Sequence, residues 1–253
     1  MKFCILASGS KGNSLFIESA YGRFLIDVGL SARQIEERLQ SVGVEAAGID
    51  AIILTHAHSD HVRGVGVLAY RHRIPVMAHP DTLDSITPLL KPGQAVLPWQ
   101  QPFQVKDLAF TPFPLSHDCQ PTFGFVIREN SRALVLCTDL GVVTESVREQ
   151  VRQADMLILE SNHDPDMLMN GPYPWELKER IAGRAGHLSN HNAGELLQEV
   201  LHPRLQRVIL GHLSEENNTP NLALVTVLDY LGSSRQEMVE VIEQKTVSAM
   251  YML

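Results

Sequence analysis

The chain has 253 residues, of which 44% are hydrophobic and 20% charged, and a formal net charge of −8. Such a composition excludes wholesale disorder and supplies enough chain for a proper core, as one large α/β domain or two small ones. The acidic balance argues against a nucleic-acid binder with a basic face, so any polyanion must be held locally, where bound metal ions reverse the field. No apolar run approaches the ~18–20 residues that a membrane span needs. The start, MKFCILASGSKGNS, is a poor signal peptide and a good first strand. Cys4, Cys119 and Cys137 are odd in number and lack CxxC spacing, so they are read as reduced, buried thiols in a cytoplasmic protein.

Strands are expected over 2–7, 15–19 and 24–27, joined by tight turns as an antiparallel meander. The turn cluster Ser8 to Ser14 between the first two is either a plain turn or a set of backbone N–H groups for an anion. Ser31 caps a helix over 32–41, with Ile35 and Leu39 on one face. A strand over 51–54 precedes a helix over 60–72 that turns Val62, Val65, Leu68 and Ala69 inward. A strand over 75–78 and a helix over 81–90 follow, and residues 94–115 hold short strands among prolines. A hairpin is expected over 123–128 and 133–137, then a helix over 144–154 and a strand over 156–160. Residues 161–186 are mixed, with a helix over 175–184. Helices over 192–200 and 221–231 enclose a strand over 207–210, and strands over 238–244 and 247–252 close the chain. No repeat or linker marks a boundary, and strands followed by helices in both halves suit two strand–helix layers packed face to face.

The stretch LTHAHSDHVRG, residues Leu54 to Gly64, gathers His56, His58, Asp60 and His61 just after an apolar run. Imidazoles and carboxylates in such density are the donor set of zinc, manganese or iron. Asp27, His117, Asp139, Glu160 and His212 each sit at or just past a strand end, where rigid scaffolds place chemistry. Each alone has a dull explanation as a turn or a hydrogen-bonded residue. Beside the HxHxDH cluster, a shared metal is the better account of so much polar chemistry.

That cluster and the order of Asp27, His117, Asp139 and His212 resemble the metallo-β-lactamase superfamily over nearly the whole chain. The resemblance implies an α/β fold, a four-layer αββα sandwich of two mixed sheets flanked by helices, with residues 1–253 as a single domain. It also implies two divalent metal ions per chain: His56, His58 and His117 for one, Asp60, His61 and His212 for the other. Asp139 would bridge them, and Asp27 would support the ligand loop from behind. Two ions ~3.5–4 Å apart can share a hydroxide and clamp substrate oxygens. Asp60 would orient that hydroxide or accept its proton. The antibiotic-degrading members commonly carry cysteine at the bridging place and are exported, so Asp139 argues against a β-lactamase.

Leu159 to Asp164 (LESNHD) and Gly186 to Asn190 (GHLSN) resemble the acidic and HST-type motifs of RNase Z-like enzymes. They imply Glu160 paired with His187 beside the metals, the histidine touching the scissile phosphate or protonating the leaving oxygen. A helix-capping role for His187 is the alternative. His163 is equally a site residue or a loop anchor, and Ser189 and Asn190 are further candidates for substrate contact. ASGSKGNS, ESNHD, GHLSN and GHLSEENN together resemble the WalJ/YycJ group. That resemblance implies a DNA exonuclease working 5′ to 3′ on duplex DNA and linked to mismatch repair, with nucleic acid as partner and no membrane.

No inserted domain of the β-CASP kind and no tRNA-gripping arm is found. Arg63, Arg71, Arg73, Lys178, Arg180 and Arg184 either line a groove or cover solvated helix faces. The second reading is a small-molecule phosphodiesterase or a (thio)ester or lactone hydrolase of the same fold. The third is a non-catalytic, metal-stabilised binding protein. Metal identity, protein partners and oligomeric state, a homodimer included, stay open.

Overall fold

The computed structural model describes all residues, 1–253. The chain opens with β1 (Lys2–Ala7), β2 (Ser14–Glu18) and β3 (Arg23–Ile26), paired antiparallel as expected, then adds β4 (Ala51–Ile53), β5 (Val76–Ala78) and β6 (Val96–Pro98) in parallel. A second sheet runs through β7 (Phe103–Val105), β8 (Leu108–Pro114), β9 (Phe123–Glu129) and β10 (Arg132–Cys137), all antiparallel. It continues in parallel with β11 (Met156–Glu160), β12 (Arg207–Gly211) and β13 (Val239–Val241), while β14 (Tyr251–Met252) returns to pair with β1. Two seven-stranded mixed sheets result. Helices α1 (Ala32–Ser41), α2 (Ser59–Val62), α3 (Val65–His72) and α4 (Pro80–Ile86) belong to the first half. The second half carries α5 (Glu145–Val151), α6 (Pro165–Asn170), α7 (Trp175–Ala182), α8 (Asn190–Val200) and α9 (Pro220–Leu231).

The layers follow from the two-residue period of strand side chains. Phe24 and Ile26 of β3, and Met156 and Ile158 of β11, join one core between the sheets with Phe3, Phe110 and Phe125. The intervening Leu25 packs outward against Ile35 and Leu39 of α1 and Leu68 of α3. Leu157 and Leu159 pack outward against Val147, Leu196, Leu197 and Val227 of α5, α8 and α9. Strands apolar on both faces need cover on both, and helix–sheet–sheet–helix supplies it.

Several boundaries differ from expectation. The helix expected over 60–72 is two helices, because Gly64 donates its N–H out of the helix to Val28 O at 2.9 Å. A Cβ on Gly64 would lie 2.3 Å from Leu30 O, so only glycine allows this approach. Asp164 caps the unexpected α6 by accepting from Met167 N at 2.8 Å. The last two strands shrink to Val239–Val241 and Tyr251–Met252. Pro112 and Pro114 are tolerated in β8 because they lie beyond the end of β7, where no partner needs their missing N–H.

Candidate metal centre

The C-terminal ends of β3, β4, β8, β10, β11 and β12 converge on one rim of the sandwich. Asp27, Asp139 and His212 leave their strands with left-handed φ of 61°, 69° and 55°. Non-glycine residues rarely adopt that region, at about 1–3 kcal/mol each, and such strain gathers at functional sites. After β4, His58 stays extended (φ −60°, ψ 146°) and the single turn of α2 sets Asp60 and His61 side by side.

Four of the imidazoles have one nitrogen pinned from behind. His61 Nδ1 donates to Asp27 Oδ2 at 2.7 Å, and His117 Nδ1 donates to Gly186 O at 3.0 Å. His212 Nδ1 donates to Glu160 Oε1 at 2.7 Å. His56 Nδ1 donates at 2.9 Å to Thr55 Oγ1, which in turn donates to Asp27 Oδ2 at 2.8 Å. The opposite nitrogens face a common space. His117 Nε2 is 3.2 Å from His58 Nδ1, and His61 Nε2 is 3.5 Å from Asp139 Oδ2. His212 Nε2 is 3.3 Å from Asp139 Oδ1 and 3.7 Å from Asp60 Oδ2. One nitrogen held from behind and the other turned to a shared space is the usual setting of a metal-bound histidine.

The donors fall into four overlapping sets: His56, His58 and His117; His56, His61 and Asp139; Asp60, His61 and His212; and Asp139, Glu160, His187 and His212. His56 Nε2, Asp139 Oδ2 and His212 Nε2 are buried with no hydrogen-bond partner. Orphaned buried groups are costly, about 1–3 kcal/mol each, and a divalent cation is the species that would satisfy all three at once. The chemistry of the set, nitrogen and oxygen without sulfur, suits zinc, manganese or iron. Cys137 is buried and its thiol is pushed up by that burial, then by the charges of Glu160 and Asp139.

The electrostatics point the same way. Burial opposes ionisation of Asp139, yet the charges of His212 and His61 hold its carboxyl well below the usual range. Asp60 is likewise held low against burial, first by His212, whose Nε2 lies 3.7 Å from Oδ2, and then by the charge of His61. Burial works against protonation of His212, but Asp139, Asp60 and Glu160 raise it to about 10. His61 is raised well above its ordinary value against the same penalty, by Asp139 and Asp27. His56 moves the other way, well below, through burial and the charge of His61. An acidic cage thus demands positive charge, which protons or a cation bound through the same lone pairs can supply.

All seven expected ligands meet in this cluster, and Asp27 lies behind it on His61 and Thr55. Glu160 is paired with His187, as the resemblance implies, from a fully buried position. Its Oε1 accepts from His187 Nδ1 at 2.8 Å and from His212 Nδ1, and its Oε2 from Leu140 N and Leu188 N at 3.1 and 2.9 Å. The helix cap is Ser189, not His187: its Oγ accepts from Asn192 N at 3.2 Å, which commits it to α8 rather than to substrate. Asn190 is fully buried, its amide exchanging hydrogen bonds with Asn218 at 2.8 and 2.9 Å, so it is closed to substrate. His163 is buried, its carbonyl accepts from Asn190 N at 2.9 Å, and burial lowers its imidazole to about 4. His187 remains half-buried at the rim, its ring 5.0 Å from that of His117 and 5.1 Å from that of His212. Its Nε2 has no protein partner.

The Ser8–Ser14 loop is not an anion nest. Gly9 N, Lys11 N, Gly12 N and Asn13 N donate to Asn13 Oδ1, Gln244 Oε1, Gly9 O and Asp60 O. Of the candidate basic residues, Arg71 pairs with Glu36, Arg180 with Asp118, and Lys178 Nζ donates to Met169 O. Sequence reasoning missed Thr55 and Asp118, the latter 3.3 Å from His58 Nε2. Both flank recognised ligands, which is the only signal they carried.

The chain belongs to the beta-lactamase superfamily: the family's model, Beta-lactamase superfamily domain, matches residues 22–213. Among its curated relatives, Exodeoxyribonuclease WalJ of Streptococcus pneumoniae is 35% identical over 239 residues, covering 92% of this chain and 89% of that protein. Exodeoxyribonuclease YycJ of Bacillus anthracis is 34% identical over 239 residues, covering 91% and 89%. The crystal structure of the metallo-beta-lactamase fold protein YhfI from Bacillus subtilis superposes with a TM-score of 0.75 at 17% identity, covering 98% of both chains. It shares the fold.

Proposed function

We propose that this chain is a metal-dependent phosphodiesterase acting on nucleic-acid ends, a DNA exonuclease that digests duplex DNA 5′ to 3′ with two divalent ions. The observation that carries the reading is the Glu160–His187 pair, which holds an imidazole at the rim with its ring 5.0 Å from that of His117 and 5.1 Å from that of His212, within reach of the donor cluster. DNA as substrate is supported by the 35% identity to a relative named as an exodeoxyribonuclease. The three free cysteines support a reducing, cytoplasmic setting, and no helix is long and apolar enough to cross a membrane. A role in DNA repair and a single catalytic domain over 1–253 complete the reading.

His56, His58 and His117 would hold one ion and Asp60, His61 and His212 the other, with Asp139 shared. Bound ions supply Lewis acidity toward phosphoryl oxygens and acidify water towards a pKa of ~7. Asp60, held ionised and partly open to solvent, offers Oδ1, the oxygen with no protein partner, to take the proton of attacking water. Glu160 holds His187 by Nδ1, which fixes the ring and leaves Nε2 to donate a proton to the departing oxygen. The same carboxylate sets His212, so metal binding and proton donation share one anchor.

The pairing of Arg71, Arg180 and Lys11 with carboxylates favours a second reading, a small phosphodiester that needs no backbone groove. One gel separates the two: 5′- and 3′-end-labelled duplex DNA, single-stranded DNA and RNA, each with Mn²⁺ or Zn²⁺. The exonuclease releases the 5′ label as mononucleotide while the 3′ label marks a shortening ladder, and cleavage falls steeply with salt. Turnover of bis(p-nitrophenyl) phosphate with every polynucleotide intact would establish the second reading instead.

A further inference from the structure

Asn13 sits in the loop from β1 to β2 and is 8% exposed, yet it belongs to none of the donor sets. Its side chain does two separate things. Oδ1 accepts from Gly9 N at 2.8 Å and Nδ2 donates to Gly9 O at 3.1 Å, which staples the loop. The same Nδ2 lies 3.3 Å from Asp60 Oδ2 and 3.0 Å from His61 Nε2. An amide nitrogen carries two hydrogens, so one serves the staple and the other faces the second donor set.

We propose that Asn13 is a positioning residue for that set, its amide holding the Asp60 carboxylate by Oδ2 so that Asp60, His61 and His212 are preorganised for a divalent ion. The inference rests on the two-ion reading above. The main chain reinforces the contact, since Asn13 N donates to Asp60 O at 2.8 Å and Asn13 O accepts from Gly29 N at 2.9 Å. A Cβ on Gly29 would lie 1.7 Å from Asp60 O and 2.5 Å from Asn13 N, so the three segments are packed to backbone contact. From outside, Gln244 grips the loop: its Oε1 accepts from Lys11 N at 2.8 Å and its Nε2 donates to Gly12 O at 2.9 Å. Arg38 in turn donates to Gln244 O at 3.3 Å. A side chain needed only to close a turn does not require this registration against a ligand carboxylate. Removing a partner that orients a metal ligand costs about 10- to 100-fold in affinity.

The test is Mn²⁺ binding to the full chain, by calorimetry and by the spin-coupling signal of an ion pair, for wild type, Asn13→Ala and Asn13→Asp. The aspartate keeps the acceptor for Gly9 N and loses the amide donor, and the alanine loses both without adding charge. Both variants are expected to bind the first ion as wild type does and the second about 10- to 100-fold more weakly, with loss of the coupled signal. Loss in Asn13→Ala alone assigns the effect to the loop staple and overturns the proposal. Loss in Asn13→Asp alone assigns it to added charge and overturns it too, as do two unchanged variants. Thermal unfolding checks each variant, and if the alanine fails to fold, wild-type affinity in the aspartate is still fatal. A wild-type chain that takes up one ion or none sinks the two-ion reading itself, a result distinct from any variant's behaviour.

Discussion

In the proposed reaction, His187 and Glu160 divide a task that one residue cannot perform. A buried carboxylate is closed to substrate, and an imidazole at the rim without a partner turns freely. Burial disfavours the ionised Glu160, but the charge and hydrogen bond of His187, then those of His212, bring it to about 2, so it is a carboxylate throughout the neutral range. Replacing His187 by alanine should lower kcat about 10²- to 10⁴-fold while leaving metal stoichiometry intact. Glu160→Gln should lower kcat and also weaken metal binding about 10- to 100-fold, because His212 loses its anchor as well. Steady-state kinetics beside metal titration separates the two. Equal effects on binding from both variants would remove the distinction between proton donor and positioning residue.

At the scale of elements, the centre is a set of strand ends held by loops that touch at backbone distance. The single turn of α2 exists because Gly64 releases the chain toward Val28, which keeps Asp60 and His61 apart from the longer α3. Gly29 performs the matching service across the loop, its Cα against Asp60 O. Gly29→Ala must push these backbones apart, so it should cost about 1–3 kcal/mol in urea unfolding and weaken divalent-ion binding by the proposed Asp60, His61 and His212 set. A variant of wild-type stability and affinity would show that the loop gives way at no cost. Asn13 and Gly29 were invisible as site residues in sequence, because glycine and asparagine in a turn cluster have an adequate local explanation. The break at Gly64 was hidden because Val62, Val65, Leu68 and Ala69 keep a helical spacing across it, and all four are buried as that spacing predicts.

For the whole molecule, the acidic cage links metal, protons and stability. The folded value of His212, about 10, lies above the ~6.5 of an unfolded imidazole. Its protonation therefore stabilises the chelated chain fully below about pH 6.5, and that contribution is lost as pH rises through about 10. His61 is raised as well and acts in the same direction. An ion bound at the two Nε2 atoms displaces these protons, so metal affinity rises over the same window. In EDTA the melting temperature should fall from pH 6.5 toward 10, and the gap to the Mn²⁺-loaded protein should widen. Parallel curves with and without metal would contradict the linkage.

The sequence by itself determined the donor chemistry, since the HxHxDH run and the strand-end aspartates and histidines name nitrogen and oxygen ligands without thiolate. It also pointed to the layers, because strands followed by helices in both halves suit two strand–helix layers packed face to face. Only the tertiary structure decided which nitrogen of His61, His117 and His212 faces the shared donor cluster. That choice is made by the partner on the other nitrogen, Asp27, Gly186 or Glu160, each distant along the chain from the histidine it holds. It likewise decided that Ser189 and Asn190 face inward and that Asn13 faces Asp60. Hydrogen-bond direction and backbone contact are properties of packed segments, and no periodicity along one segment records them.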